Sequence, residues 1–375
     1  MRRFILLCTL ILFALATTQI SRHAILFSSA DATGEPTLNP TASPTWVATP
    51  QGALGPFNFA ATINPLTGLA VDDPAALQRR PLAVKISNAP ALVRPQAGIG
   101  EADLVFEHLT EGKLTRFTAV FWTHTPPRVG SIRSARLIDL EIARMYDAIF
   151  AFSGASNGVR DKIFNSPFAD RALEGVTVGP PLFYRDDTIE VPHNLFGSPA
   201  AMWTRASAKG FNTPPSNLGG MLFSPTPQPI GTSGTKIIVD YGPTDAEWRY
   251  DATTQRYARW TEGQPHFDAN TKMQVTSANV VLLYAWHQYD YNIVESEFQG
   301  SKSYSIEIQL WTLGPALVCR DGQCVKGLWN RWDKADMLSF WTEEHQPIYL
   351  KPGNTWFEVV NLPDAPDLQQ TITVQ

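Results

Sequence analysis

Ser131-Ile132-Arg133-Ser134-Ala135-Arg136 is the run best equipped for chemistry. Two hydroxyls and two guanidinium groups stand together where an amphipathic stretch begins. An arginine fork donates two parallel hydrogen bonds, which suits a carboxylate or a phosphate. Free backbone N–H groups at a helix N-terminus strengthen such an anion site. Spaced three apart there, Arg133 and Arg136 would share a face. The plainer reading makes Ser134 a helix N-cap, with both arginines solvated or paired to Asp139.

Two other sets could do acid–base or nucleophilic work. Glu107 and Glu111 lie near a turn, with Arg116 beyond it. Paired carboxylates serve in catalysis only when they share a cleft at the right separation. A two-residue loop would set Glu107 opposite Arg116 as an ordinary cross-strand pair. A three-residue loop ending at Gly112, which accepts positive φ more readily than Glu111, would set it opposite Thr115. Gly154-Ala155-Ser156-Asn157-Gly158 matches G-x-S-x-G after an apolar strand. Asp161, Asp170 or Asp186 and then His193 follow in the Ser…Asp…His order of α/β-hydrolases. That pattern also needs a parallel sheet and an oxyanion loop, which the hairpin-rich texture does not indicate. A loop with helix-flanking glycines is the simpler account. His193, in Pro192-His193-Asn194, serves as a base, as a hydrogen-bonding site residue, or as a donor that fixes its loop.

No metal and no cofactor is expected. No spacing fits zinc, Asp268-Ala269-Asn270 lacks the later glycine and glutamate of a calcium loop, and neither a P-loop nor a dinucleotide fingerprint occurs. Trp329 and Trp332, beside Arg331, read as an exposed pair that could stack on sugars, although large aromatics more often fill β cores. Cys319 and Cys324 flank Arg320-Asp321-Gly322-Gln323, and Asp-Gly is a preferred two-residue hairpin turn. The cysteines then face each other, at the short end of the Cα separation a disulfide accepts.

The elements that must position these groups follow from periodicity and punctuation. Residues 81–87, 103–109, 113–122 and 148–152 read as strands, and 135–146 as an amphipathic helix. Ser198-Pro199 starts a helix that Gly210 closes. Beyond the proline-rich stretch 212–229 the texture is mostly β. The expected layout is a signal peptide or uncleaved anchor over 1–16, a Thr/Pro/Ala-rich tether over 17–62, and a first domain over 63–211. A linker over 212–229, a second domain over 230–363 and a tail over 364–375 complete it.

Arg2 and Arg3, the apolar run from Phe4 to Ala16 and the Ala14-Leu15-Ala16 ending fit a secretory signal. The run is shorter than the roughly 20 apolar residues of a membrane span, and too little of it precedes Cys8 for a lipid-attachment cysteine. Its removal moves the formal charge from −5 to −7, since it takes away two arginines and no acid. An acidic exported chain disfavours nucleic acid as a partner, and leaves Cys319 and Cys324 as an even pair in an oxidising setting.

The blocks NPLTGL, RPLAVKISN, RPQAGIGEADLVFE, EGKLTRFTAVF, GSIRSAR and PHN in the first half carry a family resemblance. RWTEGQPHFD, SANVVLLYA and KPGNTWFEVV extend it through the second. The chain resembles the YerB-like family of bacterial envelope proteins, a domain of unknown function in N- and C-terminal parts. The resemblance implies an α+β fold with helices packed on mixed sheets, and no settled activity. Together the readings give an N-terminal α+β domain followed by a mostly β C-terminal domain. They point to an extracytoplasmic, non-enzymatic module for an anionic envelope ligand or protein partner, touching the membrane only through an uncleaved N-terminal segment. Arg116, Ser131, Arg133, Ser134, Arg136, His193 and Asn194 are its candidate binding residues. A hydrolase using Ser156 and His193, or Glu107 and Glu111, and a purely structural assembly protein are the alternatives.

Overall fold

The computed structural model of this chain describes residues 49–57 and 59–375. The signal segment 1–16, Cys8 and most of the 17–62 tether lie outside the described residues.

Short apolar runs become the strands of a mixed sheet. β1 (Leu82–Ser87) and β2 (Leu104–Leu109) each pair antiparallel with β3 (Thr115–Phe121). β4 (Ile149–Phe152) and β5 (Ala172–Glu174) continue beside β1 in parallel. All residues of β1, β2 and β4 are buried, as in strands covered on both faces. α1 (Ile138–Met145), α2 (Asn157–Phe164) and α3 (Pro199–Ala208) are the α-helices among the described residues. α3 begins as its sequence dictates: Ser198 Oγ accepts from Ala201 N, and proline occupies the first turn.

The second half adds an antiparallel sheet of β6 (Lys236–Asp240), β7 (Asp245–Asp251) and β8 (Arg256–Thr261). β9 (Asn279–Tyr284) then returns to the first sheet, and β10 (His287–Phe298) with β11 (Ser301–Ile308) makes a long two-stranded ribbon. β12 (Thr312–Arg320), β13 (Gln323–Arg331), β14 (Ser339–Trp341) and β15 (Thr355–Val360) complete the first sheet. Its order is β14-β13-β12-β9-β15-β2-β3-β1-β4-β5. The two halves meet where β15 lies parallel to β2, with Glu358 facing Glu107, and a single apolar cluster runs through both.

Four local features differ from the sequence expectations. The 212–229 stretch is woven into the fold: Phe223 exchanges backbone hydrogen bonds with Leu54, and Leu350 N donates to Leu222 O at 2.8 Å. Its Met221-Leu222-Phe223 core is apolar enough to be buried despite the flanking prolines. The tail holds β16 (Thr371–Val374), a β-branched run that pairs with β6. The β2–β3 connection spans Thr110 to Leu114, with Gly112 and Lys113 both at positive φ, so Glu107 faces Phe117 and His108 faces Arg116. Finally, Trp329 is buried, its indole N–H donating to Tyr284 O at 2.9 Å, while Trp332 is exposed.

At the β12–β13 turn, Asp321 and Gly322 both take positive φ, which a two-residue hairpin of this twist requires. Arg320 faces Gln323, and Cys319 is bonded to Cys324 with Cα atoms 4.0 Å apart. The closed loop is short, so stabilisation should stay below the roughly 3 kcal/mol of a 15-residue loop. Thiol titration of unreduced, denatured protein lacking residues 1–16 should find no reactive thiol; two would contradict the bridge.

Candidate functional site

The site is built upward from a buried lysine. Lys85, on β1, points to the α1 side of the sheet and is fully buried. Its ammonium donates to Asp139 Oδ1 at 2.8 Å and Thr118 Oγ1 at 3.0 Å, and meets His108 Nε2. All three donors of the ammonium are thereby used. Burial lowers the Lys85 pKa to about 8 against the pull of Asp139. Burial, and then the Lys85 charge, hold His108 well below its ordinary value, so a neutral imidazole accepts from the lysine.

Asp139 transmits that order to the arginine cluster. Its Oδ2 accepts from Arg136 N at 2.6 Å, which ties down the turn before α1. The helix therefore starts at Ile138 rather than at residue 135, and Ser134 is not its cap. Residues 131–135 are not helical, because their backbone is spent on neighbouring segments. Ile132 N donates to Leu195 O at 2.7 Å, Arg133 N to Lys85 O at 2.9 Å and Ala135 N to Gly154 O at 2.9 Å. Arg133 and Arg136 consequently do not share a helix face, contrary to what their spacing predicts.

The two arginines have different fates. Arg136 is nearly buried and closed in by carboxylates: it forks onto Glu111, with Nε 2.6 Å from Oε1, and lies 3.4 Å from Glu295. Glu295 comes from β10 and is held by Ser305 Oγ at 2.8 Å. The ribbon reaches this position because α2 carries glycine at 158, where a Cβ would stand 2.8 Å from Ile293 Cγ1. Arg116 donates to Ser134 O at 2.6 Å. Burial, and the Arg136 charge after it, lower the Arg116 pKa to about 9.

Arg133 remains half-buried, and its Nε has no hydrogen-bond partner among the described residues. Burial and the nearby Arg136 lower its pKa. Three guanidinium groups thus face two carboxylates; both carboxylates lie on Arg136, so Arg116 and Arg133 make no salt bridge among the described residues, and Arg133 Nε also lacks a hydrogen-bond partner. Ser131 Oγ and His193 Nδ1 are also buried without partners. The Ile132–Leu195 bond sets their segments side by side, and Arg133 helps burial to depress the His193 pKa. Asn194 belongs to the same segment, but its Oδ1 accepts from Arg185 at 2.6 Å. Buried polar groups seldom lack partners, and each exception calls for an explanation.

The catalytic alternatives fare differently. Glu107 is fully buried on the opposite face of the sheet from the Arg136 cluster, paired to Arg259 at 2.6 Å, so it shares no cleft with Glu111. Ser156 does follow a strand with parallel neighbours and precede a helix, as a nucleophile elbow should. Yet its φ of −59° is relaxed, where an elbow serine is strained. Ser156 Oγ approaches the Glu295 carboxylate without forming a proper hydrogen bond, and it does not bond His193. Asp186 is engaged by Arg128 and Thr188, and none of Asp161, Asp170 and Asp186 orients the imidazole.

Glu295 and Arg259 escaped the sequence reading because their partners lie far along the chain. A cavity of about 450 Å3 lies elsewhere, lined by Asp72, Asp73, Glu101, Asp103, His124 and Arg256 among others. It contains none of the sequence-derived site residues. Its acidic wall suits a cation better than an anion, and no metal-binding cluster occurs among the described residues.

This sheet, assembled from two sequence regions, has known relatives. Residues 66–212 match "Protein of unknown function (DUF3048) N-terminal domain", and residues 237–357 match the corresponding C-terminal domain. The chain belongs to this DUF3048, or YerB-like, family. It is similar to the Bacillus subtilis (strain 168) protein described as "Putative lipoprotein YerB", at 29% identity over 310 residues, 82% of this chain and 88% of that one. It also resembles the crystal structure of YerB protein from Bacillus subtilis, with a TM-score of 0.68 and 28% identity, covering 83% of this chain and 99% of that chain.

Proposed function

We propose that the chain is an extracytoplasmic, non-enzymatic binding module that holds an anionic group at Arg133. The observation that carries this reading is the set of three unpartnered polar atoms, Ser131 Oγ, Arg133 Nε and His193 Nδ1, on two adjoining segments, with Arg133 making no salt bridge among the described residues. A carboxylate or phosphate on an envelope polymer or protein segment would satisfy all three. Envelope placement rests on the N-terminal signal pattern and on similarity to a protein described as a lipoprotein. Arg116 and Arg136 shape the site without contacting the ligand, since each is already engaged within the protein, and Ser134 gives its carbonyl to Arg116.

Thermal shift with sulfate, phosphate and citrate tests the site. Each anion should raise the midpoint of the wild type and leave Arg133→Ala unmoved. Arg133→Lys keeps the charge but loses the fork, so binding should weaken by about 1–3 kcal/mol. Sulfate binding should also tighten as pH falls through the depressed His193 pKa, because the imidazolium adds a second positive charge. Equal anion-induced shifts in wild type and Arg133→Ala would remove the site.

A further inference from the structure

A second groove, of about 370 Å3, opens between α1, the C-terminal end of α2 and the corner that follows β11. Arg144 of α1, Lys162 of α2 and Lys334 line it, facing Glu141 and Glu307. Glu141 is already neutralised by Arg331, at 2.6 Å, and Glu307 accepts from Gln288 at 2.6 Å. Arg144 Nε is buried with no partner among the described residues. The groove therefore carries surplus positive charge next to an unsatisfied donor.

Its walls are held in place by a single buried arginine. Arg331 donates to Leu310 O at 2.6 Å, beside Trp311, to Asp336 O at 3.0 Å, and to the Lys334 carbonyl. One guanidinium thus fixes both the backbone that carries the groove's indole and the turn that carries one of its cations. Trp311 is partly exposed, and Leu140 and Pro167 add apolar surface around it.

We propose that this groove binds a phosphorylated sugar, with the phosphate among Arg144, Lys162 and Lys334 and the ring stacked on Trp311. Three cations suit a phosphate monoester dianion better than a singly charged carboxylate, and an indole face accepts the apolar face of a sugar ring. The site is separate from the one at Arg133, because the two use different arginines.

Calorimetric titration with glucose 6-phosphate, glucose and inorganic phosphate tests the proposal. Glucose 6-phosphate should bind the wild type at least about tenfold more tightly than either fragment, and Arg144→Gln or Lys162→Gln should weaken it about tenfold or more. Trp311→Ala should abolish its advantage over inorganic phosphate, and that advantage should persist in Arg133→Ala, which removes the other anion site. Lys162 is exposed, so Lys162→Gln keeps the test valid if Arg144→Gln disturbs α1. Glucose 6-phosphate binding no tighter than phosphate, untouched by both charge variants, or lost in Arg133→Ala would overturn the assignment.

Discussion

Arg259→Met is expected to lower the unfolding free energy by about 3–5 kcal/mol, the scale for removing one partner of a buried ion pair. Arg259, from β8, is fully buried. One amino group donates to Glu107 Oε2 at 2.6 Å and the other meets His266 Nδ1 at 2.6 Å. The guanidinium carbon lies 5.0 Å from the Trp356 ring centroid and 5.3 Å from that of Phe117. Thr115 and Asn88 hold the other Glu107 oxygen, and Glu358 stands across the β2–β15 junction. Methionine would fill much of the volume but leave the Glu107 carboxylate without a counter-charge. Urea unfolding at neutral pH reads the effect, with Arg249→Met as control. Arg249 pairs with Glu247 at 2.7 Å but is substantially exposed, so its loss should cost no more than about 1 kcal/mol. Equal, small losses in both variants would mean that Arg259 does not hold the junction.

The second large effect depends on pH. Burial first, and the adjacent Glu107 next, push the Glu358 carboxyl up to about 8, against the pull of Arg259 and hydrogen bonds from Trp248 and Tyr241. Between its ordinary 4.5 and about 8, the folded state keeps a proton that the unfolded chain has released. Stability contributed by this group therefore falls as pH rises through that window, by on the order of 1 kcal/mol per pH unit at most. Glu358→Gln cannot ionise and retains an acceptor for the Trp248 N–H. Its stability relative to wild type should rise from pH 5 to pH 9 and then level off. A difference between the two proteins that is constant across this range would show that Glu358 does not titrate in the folded core.

Local pattern made much of this architecture legible. Residues 82–87, 104–109 and 149–152 are short apolar runs that become buried strands, and Ser198-Pro199 caps α3. The Asp321-Gly322 turn sets the register of the cysteines because both residues tolerate positive φ. The parallel pairing of β2 with β15 left no such mark, since it joins strands from opposite halves and needs no turn of its own. Glu107 and Glu358 look like surface carboxylates until that pairing buries them.

The candidate site divides in the same way. Residue type identified Arg133, Ser131 and His193 as groups able to hold an anion. Which arginine stays free depends on Glu111 and on Glu295, the latter delivered by a ribbon more than a hundred residues away. Periodicity also placed residues 135–137 in the helix. The backbone instead bonds residues 131–135 to neighbouring segments, and Asp139 holds the Arg136 amide ahead of α1.

The most direct measurement of the central claim is the Nε–H resonance of each arginine in a two-dimensional NMR spectrum during sulfate titration. Arg133 should shift and saturate, while Arg116 and Arg136, already held by Ser134 O and Glu111, should stay in place. Saturation should weaken in Ser131→Ala and at a pH well above the His193 pKa. If the Arg133 resonance instead drifts linearly with ionic strength, or moves no more than that of exposed Arg249, Arg133 does not bind an anion.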